Sequence, residues 1–368
     1  MALKWIEGFE IHQGTGWLTD KYAEVSLSNV LFVTGRVQGF CIQNQGTTPC
    51  YLRTPNLGQH ERWIVGMGID PHNSPATLNL IEIRDVATGG VQLTLLMRSL
   101  NNSTYRLEVL RGSTVLSQSV ALNYDTASHS TWPPIVDSFQ HPYLQFQAVI
   151  DPIDGLFEVL LNGSQVLDDS GINTAALGNT NATGIGIGFC SGSLFVPFRI
   201  DDIYICDGGG SINNDYLDDC IVEGVLPTGN GEKQEWFGTN AGLPDSAHGA
   251  LLDDPASGSN HDSDSTYIST LATDRTDLEV YANLSWITGN IKGIMVHTVA
   301  RLEAPGSSDL ELRSRSGDGV EALLEQHSVD AITYANKFRV VPNEPVGGLP
   351  WTVDGFNATQ FGVRTPST

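Results

Sequence analysis

The chain is poor in lysine, in paired cysteines and in long apolar runs, and each shortage closes off a class of function. Lysine occurs only at Lys4, Lys21, Lys233, Lys292 and Lys337, so no polybasic stretch exists to seek an anionic membrane. With 42 Asp and Glu against 19 Lys and Arg, the formal net charge is −23, and such a surface repels phosphate backbones. Neither nucleic acid nor membrane is an expected partner. The five cysteines (Cys41, Cys50, Cys190, Cys206 and Cys220) are odd in number and lack a C-x-x-C pair. That leaves no zinc framework and no full disulfide framework. Buried free thiols are expected, with a Cys41–Cys50 bridge across a hairpin as the alternative. No run of 18 apolar residues occurs, and Met1-Ala2-Leu3-Lys4-Trp5 opens without the apolar core of a signal peptide. The expectation is synthesis in a cytoplasm without export by a cleaved signal.

What remains is a globular composition, with 40% hydrophobic and 17% charged residues and 39 glycines over a length that suits two domains. Helical periodicity is scarce; a short helix over Val353–Thr359, capped by Thr352, is expected, weakened by Gly355. Almost every other periodic segment repeats every two residues. Arg62–Asp70, Leu78–Asp85, Val91–Arg98, Tyr105–Arg111 and Thr114–Leu122 are strands at short spacing, with Leu78–Asp85 partly apolar on both faces. Tyr143–Leu167 is the clearest unit: two alternating strands and a third, joined by turns at Asp154-Gly155 and Asn162-Gly163. Gly184–Phe189 alternates Gly with Ile, so one face carries no side chains and another group can approach closely. In Phe198–Cys206 strict alternation puts Phe198, Ile200, Asp202, Tyr204 and Cys206 on one face.

The fold class is therefore all-β. Residues 1–207 form a sandwich, 208–225 a polar linker, and 226–368 a second, smaller β-rich domain. In the latter, strands are expected over Leu278–Trp286, Ile291–Leu302, Leu310–Ser316, Ala335–Pro342 and Phe361–Arg364, with Ala241–Asp264 a long exposed loop.

The meander Tyr143–Leu167, closed by Phe198–Asp207, resembles the concanavalin A-like and laminin-G class of jelly-roll sandwiches. A second resemblance spans the join. Ile200-Asp-Asp-Ile-Tyr-Ile-Cys-Asp207, then Ser211-Ile-Asn-Asn-Asp-Tyr-Leu217, then Leu226-Pro-Thr-Gly229 are similar to a family of tailed-phage virion proteins. Ile6-Glu-Gly-Phe9 with Lys21-Tyr22, Asp264-Ser-Thr-Tyr267, and Trp351-Thr352 with Phe361-Gly362-Val363 continue the likeness in order. The resemblance implies a structural component of the particle exterior, at tail, baseplate, fibre or capsid surface, assembled in the host cytoplasm. It also implies other virion proteins as partners, with homo-oligomers expected and host surface glycan a candidate ligand.

Chemistry-bearing patterns are few. The sandwich glucanases carry Glu-x-Asp-x-(x)-Glu on one strand, where alternate residues share a face; the nearest approach, Glu82-Ile-Arg-Asp85, has odd spacing that sends its carboxylates to opposite faces. There is no G-x-S-x-G, no H-E-x-x-H and no Walker sequence, and the nine histidines are scattered. The expectation is a protein without catalysis, the alternatives being a glycan-binding adhesin and a glycan-cleaving enzyme. Calcium is the one cofactor to weigh, because loop carboxylates suit a hard cation. Its candidate ligands are Asp168, Asp169, Asp201 and Asp202, with Asp207, Asp253, Asp254, Asp262 and Asp264 behind them. Solvated acidic turns are the plain alternative. Glycan platforms are sought among the aromatics Trp17, Trp63, Trp132, Tyr143 and Trp236, with Trp132 and Tyr143 foremost; core packing is the competing explanation.

Overall fold

A computed structural model describes residues 2–10, 16–27, 30–36, 39–44, 50–70, 77–101, 103–123, 142–190, 198–239, 247–252, 264–284 and 289–367. The chain forms two compact units, residues 1–222 and 223–368. Most of the expected linker thus belongs to the first unit.

The first unit contains β1 (Leu3–Glu7), α1 (Gly16–Lys21), β2 (Glu24–Ser26), β3 (Val30–Thr34), β4 (Phe40–Asn44), β5 (Cys50–Arg53), β6 (Arg62–Asp70), β7 (Thr77–Arg84) and β8 (Val91–Asn101). It continues with β9 (Thr104–Arg111), β10 (Thr114–Gln118), β11 (Leu122–Asn123), β12 (Tyr143–Val149), β13 (Gly155–Leu161), β14 (Ser164–Ile172), β15 (Gly184–Cys190) and β16 (Phe198–Cys206). These make two eight-stranded antiparallel sheets. The first runs β14-β13-β12-β6-β16-β4-β3 with β1 also on β16; the second runs β10-β9-β8-β7-β15-β5-β2 with β11 on β9. The chain passes between the sheets repeatedly, as a jelly roll does.

Alternation builds the core. Trp63, Val65, Met67 and Ile69 of β6 stand beside Leu144, Phe146 and Ala148 of β12, all with no exposed surface. Leu93, Leu95 and Met97 of β8 do the same in the other sheet. Each such side chain contributes about 1.5–3 kcal/mol by leaving water. The two-faced apolarity of β7 has a local cause: Asn79 pairs with Leu96 and Ile81 with Leu95, so Leu80 is an extra residue. This bulge lets Leu78, Ile81 and Ile83 all pair with core positions of β8.

β16 departs from the expected alternation in the same way. Asp201 pairs with Gly68 and Tyr204 with Gly66, three residues against two. Asp202 takes a left-handed φ of 50° at this bulge, and the partner on the strand's other edge changes there from β4 to β1. Ile200 and Ile205 therefore share the core side, while Asp201 and Tyr204 lie on the outer one. Gly66 is needed because a Cβ there would lie 2.1 Å from the Tyr204 ring.

The expected turn at Asn162-Gly163 has positive φ at both residues, 50° and 72°. The turn before β13 differs from expectation. The Asp151 carboxylate accepts from the Ile153 and Asp154 amides, and Gly155 already belongs to the strand, where a Cβ would meet Thr174 Oγ1 at 2.1 Å. Cys41, Cys50, Cys206 and Cys220 are free thiols.

The second unit contains β17 (Pro227–Gln234), β18 (Phe237–Thr239), α2 (His248–Leu251), β19 (Tyr267–Ser269), β20 (Arg275–Tyr281), β21 (Ile294–Ala300) and β22 (Ser308–Arg315), then β23 (Glu321–Val329), β24 (Ala335–Val341), α3 (Val353–Asn357) and β25 (Gln360–Thr365). Its main sheet runs β17-β20-β25-β22-β23, beside the ribbons β18-β19 and β21-β24. β17 and β23 were not expected: Pro227–Gln234 carries two glycines and mostly polar residues, and β23 bears apolar residues without alternation. Thr352 caps α3, its hydroxyl accepting from the Gly355 amide at 2.9 Å. Trp351, Phe356 and Phe361 pack ring against ring, and Trp351 Nε1 donates to the Val341 carbonyl at 3.0 Å.

Replacing Gly66 with Ala should destabilise the first unit by about 1–3 kcal/mol through the forced shift of Tyr204. Urea unfolding followed by tryptophan fluorescence reads this; an unchanged midpoint would mean the ring has free room to move.

Candidate functional site

Two features of the first unit bring chemistry-bearing side chains together. The first is built on the β16 bulge. Asp201 and Asp202 are 1% and 2% exposed, and the bulge turns both carboxylates toward the segment after β1, where Glu10 stands. One oxygen from each of these three residues lies within 4.8 Å of the others. The Arg36 amide donates to Asp201 Oδ2 at 2.7 Å, and its Nε donates to Asp202 Oδ2 at 2.8 Å. The same guanidinium pairs with Asp219 and donates to the Cys220 carbonyl at 2.6 Å. The Val222 amide completes the set on Asp202 Oδ1 at 2.8 Å.

Burial pushes the Glu10 carboxyl well above its ordinary pKa, and Asp201 and Asp202 push it further. Asp201 rises for the same reasons, burial first and Asp202 second. Asp202 also rises through burial, held back by Arg36. Arg36 itself stays charged: burial works against its charge, and Asp202 and Asp219 outweigh it. The buried Asp201 and Asp202 and the half-buried Glu10 against one guanidinium leave uncompensated negative charge, which a proton or a cation must balance. The donor set fits a hard cation. Glu10 Oε2 is buried without a hydrogen-bond partner among the described residues. A Cβ on Gly8 would sit 2.2 Å from Glu10 Oε2 and 2.4 Å from the Val222 carbonyl, so a fourth oxygen is close by.

The four expected calcium ligands therefore divide. Asp201 and Asp202 come together, while Asp168 and Asp169 sit on the edge strand β14, four strand positions away, roughly 19 Å at normal strand spacing. Asp207 is tied to Lys4 at 2.8 Å, and Asp264 to Arg301 and Tyr334. Asp253, Asp254 and Asp262 lie outside the described residues. Glu10 was missed because it is 191 positions from Asp201 in the chain, and no local pattern links them.

The second feature is the outer face of the second sheet. There the bare side of β15 (Gly184, Gly186 and Gly188) runs between β5 and β7. A Cβ on Gly186 would crowd Arg84 Cδ at 3.1 Å and Glu82 Oε2 at 3.2 Å; on Gly188 it would strike the Asn79 carbonyl at 2.1 Å. The stripe thus lets side chains of β7 lie flat across the sheet. Glu82 accepts from Arg84 at 2.6 Å and from Asn79 at 3.1 Å. On the other flank Arg53 pairs with Glu24 and stacks on the Tyr51 ring at 4.2 Å. Ala23, Glu24, Arg53, Thr54, Arg84, Val86 and Ile185 line a small depression of about 10 Å³, room for about one water molecule. Two strands further along, Glu108 accepts from Arg98 at 2.8 and 2.9 Å and from Arg106 at 2.6 Å. These hydrogen bonds, that of Arg98 foremost, hold the Glu108 carboxyl below its usual pKa.

The aromatic candidates fare differently. Tyr143 is 1% exposed, its ring stacked on Tyr204 and covered by Arg36 at 5.0 Å, and its hydroxyl donates to the Asp202 carbonyl at 2.9 Å. It is no open platform. Trp63 is core, and Trp236 is half-buried with Nε1 on the Arg275 carbonyl. Trp132, like the Trp17 side chain, lies outside the described residues.

The carboxylate cluster gives a signed expectation. A carboxyl with a raised folded-state pKa stabilises the fold below its unfolded pKa and loses that contribution as pH rises through the folded one. Without divalent cations, Glu10→Gln should therefore melt above the parent at pH 8, and the gap should close toward pH 4. Millimolar calcium should raise the parent's Tm, by about 2–4 °C per kcal/mol for a unit of this size, and leave the variant unmoved. Calorimetry at the two pH values decides; a variant that melts lower at pH 8 in chelator, with a parent blind to calcium, would remove both readings.

No protein-family model matches the chain, and no curated protein matches it. Solved structures do resemble part of it. The alginate lyase Aly36B is 7% identical, covering 50% of this chain and 86% of its own, with a TM-score of 0.33. SCLam, a non-specific endo-β-1,3(4)-glucanase from family GH16, is 10% identical over 55% and 90%, at 0.34. A legume lectin-like domain from Entamoeba histolytica is 7% identical over 51% and 90%, at 0.28. At such scores none bears on function, and the sandwich architecture of the first unit stands on its own strand order.

Proposed function

We propose that the chain is a non-enzymatic component of the exterior of a tailed-phage particle, and that its first unit holds host-surface glycan on the outer face of its second sheet. The observation that carries the glycan reading is the flat polar strip over the β15 glycines, with Tyr51, Arg53, Asn79, Glu82 and Arg84 arrayed along it. Sugar hydroxyls need fixed donors and acceptors beside an open surface, and ion-paired side chains locked in place supply them at small entropic cost. The location on a particle is supported by the ordered likeness that runs from Ile6 to Val363. Neighbouring virion proteins and further copies of this chain are the partners that this location entails. Calcium at Glu10, Asp201 and Asp202 belongs to the same reading as a structural ion.

Binding is favoured over cleavage by the state of the carboxylates on this face. Glycoside hydrolysis needs one carboxyl held protonated near neutral pH. Glu108 is pushed the opposite way by Arg98 and Arg106.

Immunogold labelling of intact particles with antibody to this chain tests the location, and a polysaccharide array with the purified chain tests the ligand. Label on particles and a bound glycan whose affinity drops at least tenfold in Arg53→Ala are the expected results. An unlabelled particle, with the antibody shown to work, rejects the virion role. Release of reducing or unsaturated ends from a bound polysaccharide would replace the adhesin with an enzyme.

A further inference from the structure

The outer face of the first sheet is covered by residues 208–222, the stretch whose composition suggested a linker. It has no regular secondary structure, and Leu217 is its single buried residue. Asn213 and Asp218 take left-handed φ values of 55° and 66°, and the segment forms no ladder with any strand among the described residues. Side chains do the holding. The Leu217 amide donates to the Tyr204 hydroxyl at 3.1 Å and the Tyr216 hydroxyl to the Glu158 carbonyl at 3.3 Å. Asp215 pairs with Arg62 at 3.4 Å and Asp219 with Arg36 at 2.8 Å, although these carboxylates are 74% and 42% exposed.

The face beneath is unlike an ordinary sandwich exterior. Tyr204 and Gln145 are 1% and 3% exposed, and Gln145 Nε2 donates to the Tyr204 hydroxyl at 2.9 Å. Both lie on the side of the sheet away from the core, since their β6 neighbour is Gly66 while the alternate positions Leu144 and Met67 face inward. Tyr143 stacks on the Tyr204 ring, and the cover closes over the Tyr204 hydroxyl through the Leu217 amide. Arg36, already bonded to Asp201 and Asp202, and Arg62 flank them, and the cover brings Asp219 to the first guanidinium and Asp215 to the second.

We propose that residues 208–222 are a releasable strap, an acidic segment the chain lays over its own tyrosine-bearing face, and that this face becomes accessible when the strap lifts. The partner that the uncovered face fits is an extended segment of another chain that repeats the strap's own contacts, carboxylates to Arg36 and Arg62 and a backbone amide to the Tyr204 hydroxyl. The strap leads directly into the second unit, so tension along the chain reaches it first. Once lifted, its 15 residues would add up to ~50 Å of reach. This proposal stands independently of the glycan and virion readings.

Native-state hydrogen exchange on the whole chain tests it. The Leu217 and Val222 amides should exchange at least a hundredfold faster than those of Val65 and Met67 in β6, by an opening with far smaller denaturant dependence than global unfolding. Asp219→Asn should speed Leu217 a further several-fold and leave Val65 unchanged. Hydroxyl-radical footprinting should modify Tyr204 while core Tyr105 stays protected. Exchange of Leu217 in step with Val65, or a Tyr204 as protected as Tyr105, would make the segment a fixed part of the fold and overturn the proposal.

Discussion

Side chains on a strand alternate strictly, so one extra residue moves everything after it to the other side of the sheet. The first unit depends on such a step at Asp201–Tyr204. Ahead of it β16 pairs with β4, and beyond it with β1. The bulge places Asp202 in a left-handed conformation that a small polar residue tolerates, with its carboxylate on Arg36. It also turns Tyr204 outward over Gly66, where the segment after residue 207 can bond to it. Remove the extra residue, and the carboxylate cluster, the Tyr204 contact and the anchoring of 208–222 lose their common support.

Charge follows from that geometry. An isolated buried carboxylate is costly, and three together are tolerable only when something balances them. Arg36 answers for part of the charge and bonds to two distant segments at once, the β16 bulge and the stretch at Asp219–Cys220. The remainder falls on Glu10, whose burial and acidic neighbours favour its neutral form unless a cation is present. In a chain of net charge −23 the few cations are placed where they matter. The outer face of the second sheet shows the same economy, with Arg53, Arg84, Arg98 and Arg106 each set against a glutamate.

The second unit is organised by aromatic packing. Trp351, Phe356 and Phe361 bring the short helix α3 and strand β25 against Ile291, Ile294 and Val341. Five residues make a helix too short to persist alone; the Thr352 cap and the burial of Phe356 hold it. The outer side of the sheet is laced instead by ion pairs, among them Arg315 with Glu232 and Arg364 with Asp274. Exposed pairs of this kind contribute little individually, so the stability of the unit rests on its apolar side.

The sequence by itself determined that this protein is all-β. The short apolar run Arg62–Asp70, the period-two alternation in Tyr143–Leu161 and the Asn162-Gly163 turn between partners are local physics that no later contact reverses. The same holds for the Thr352 cap. Strands without alternation, Pro227–Gln234 and Glu321–Val329, were illegible because their pairing is decided by neighbours. So was the phase of β16, because a bulge leaves no mark in composition. Asp201 and Asp202 could be named as an acidic pair, but their partner Glu10 could not, nor could the burial of Tyr143 beneath Arg36. Only the tertiary structure decided which carboxylates meet and whether residues 208–222 are spacer or cover. Those outcomes depend on contacts between distant segments, Arg36 with Asp201 and Cys220 and Arg62 with Asp215 being more than a hundred residues apart, whereas strand and turn propensities act within a few residues.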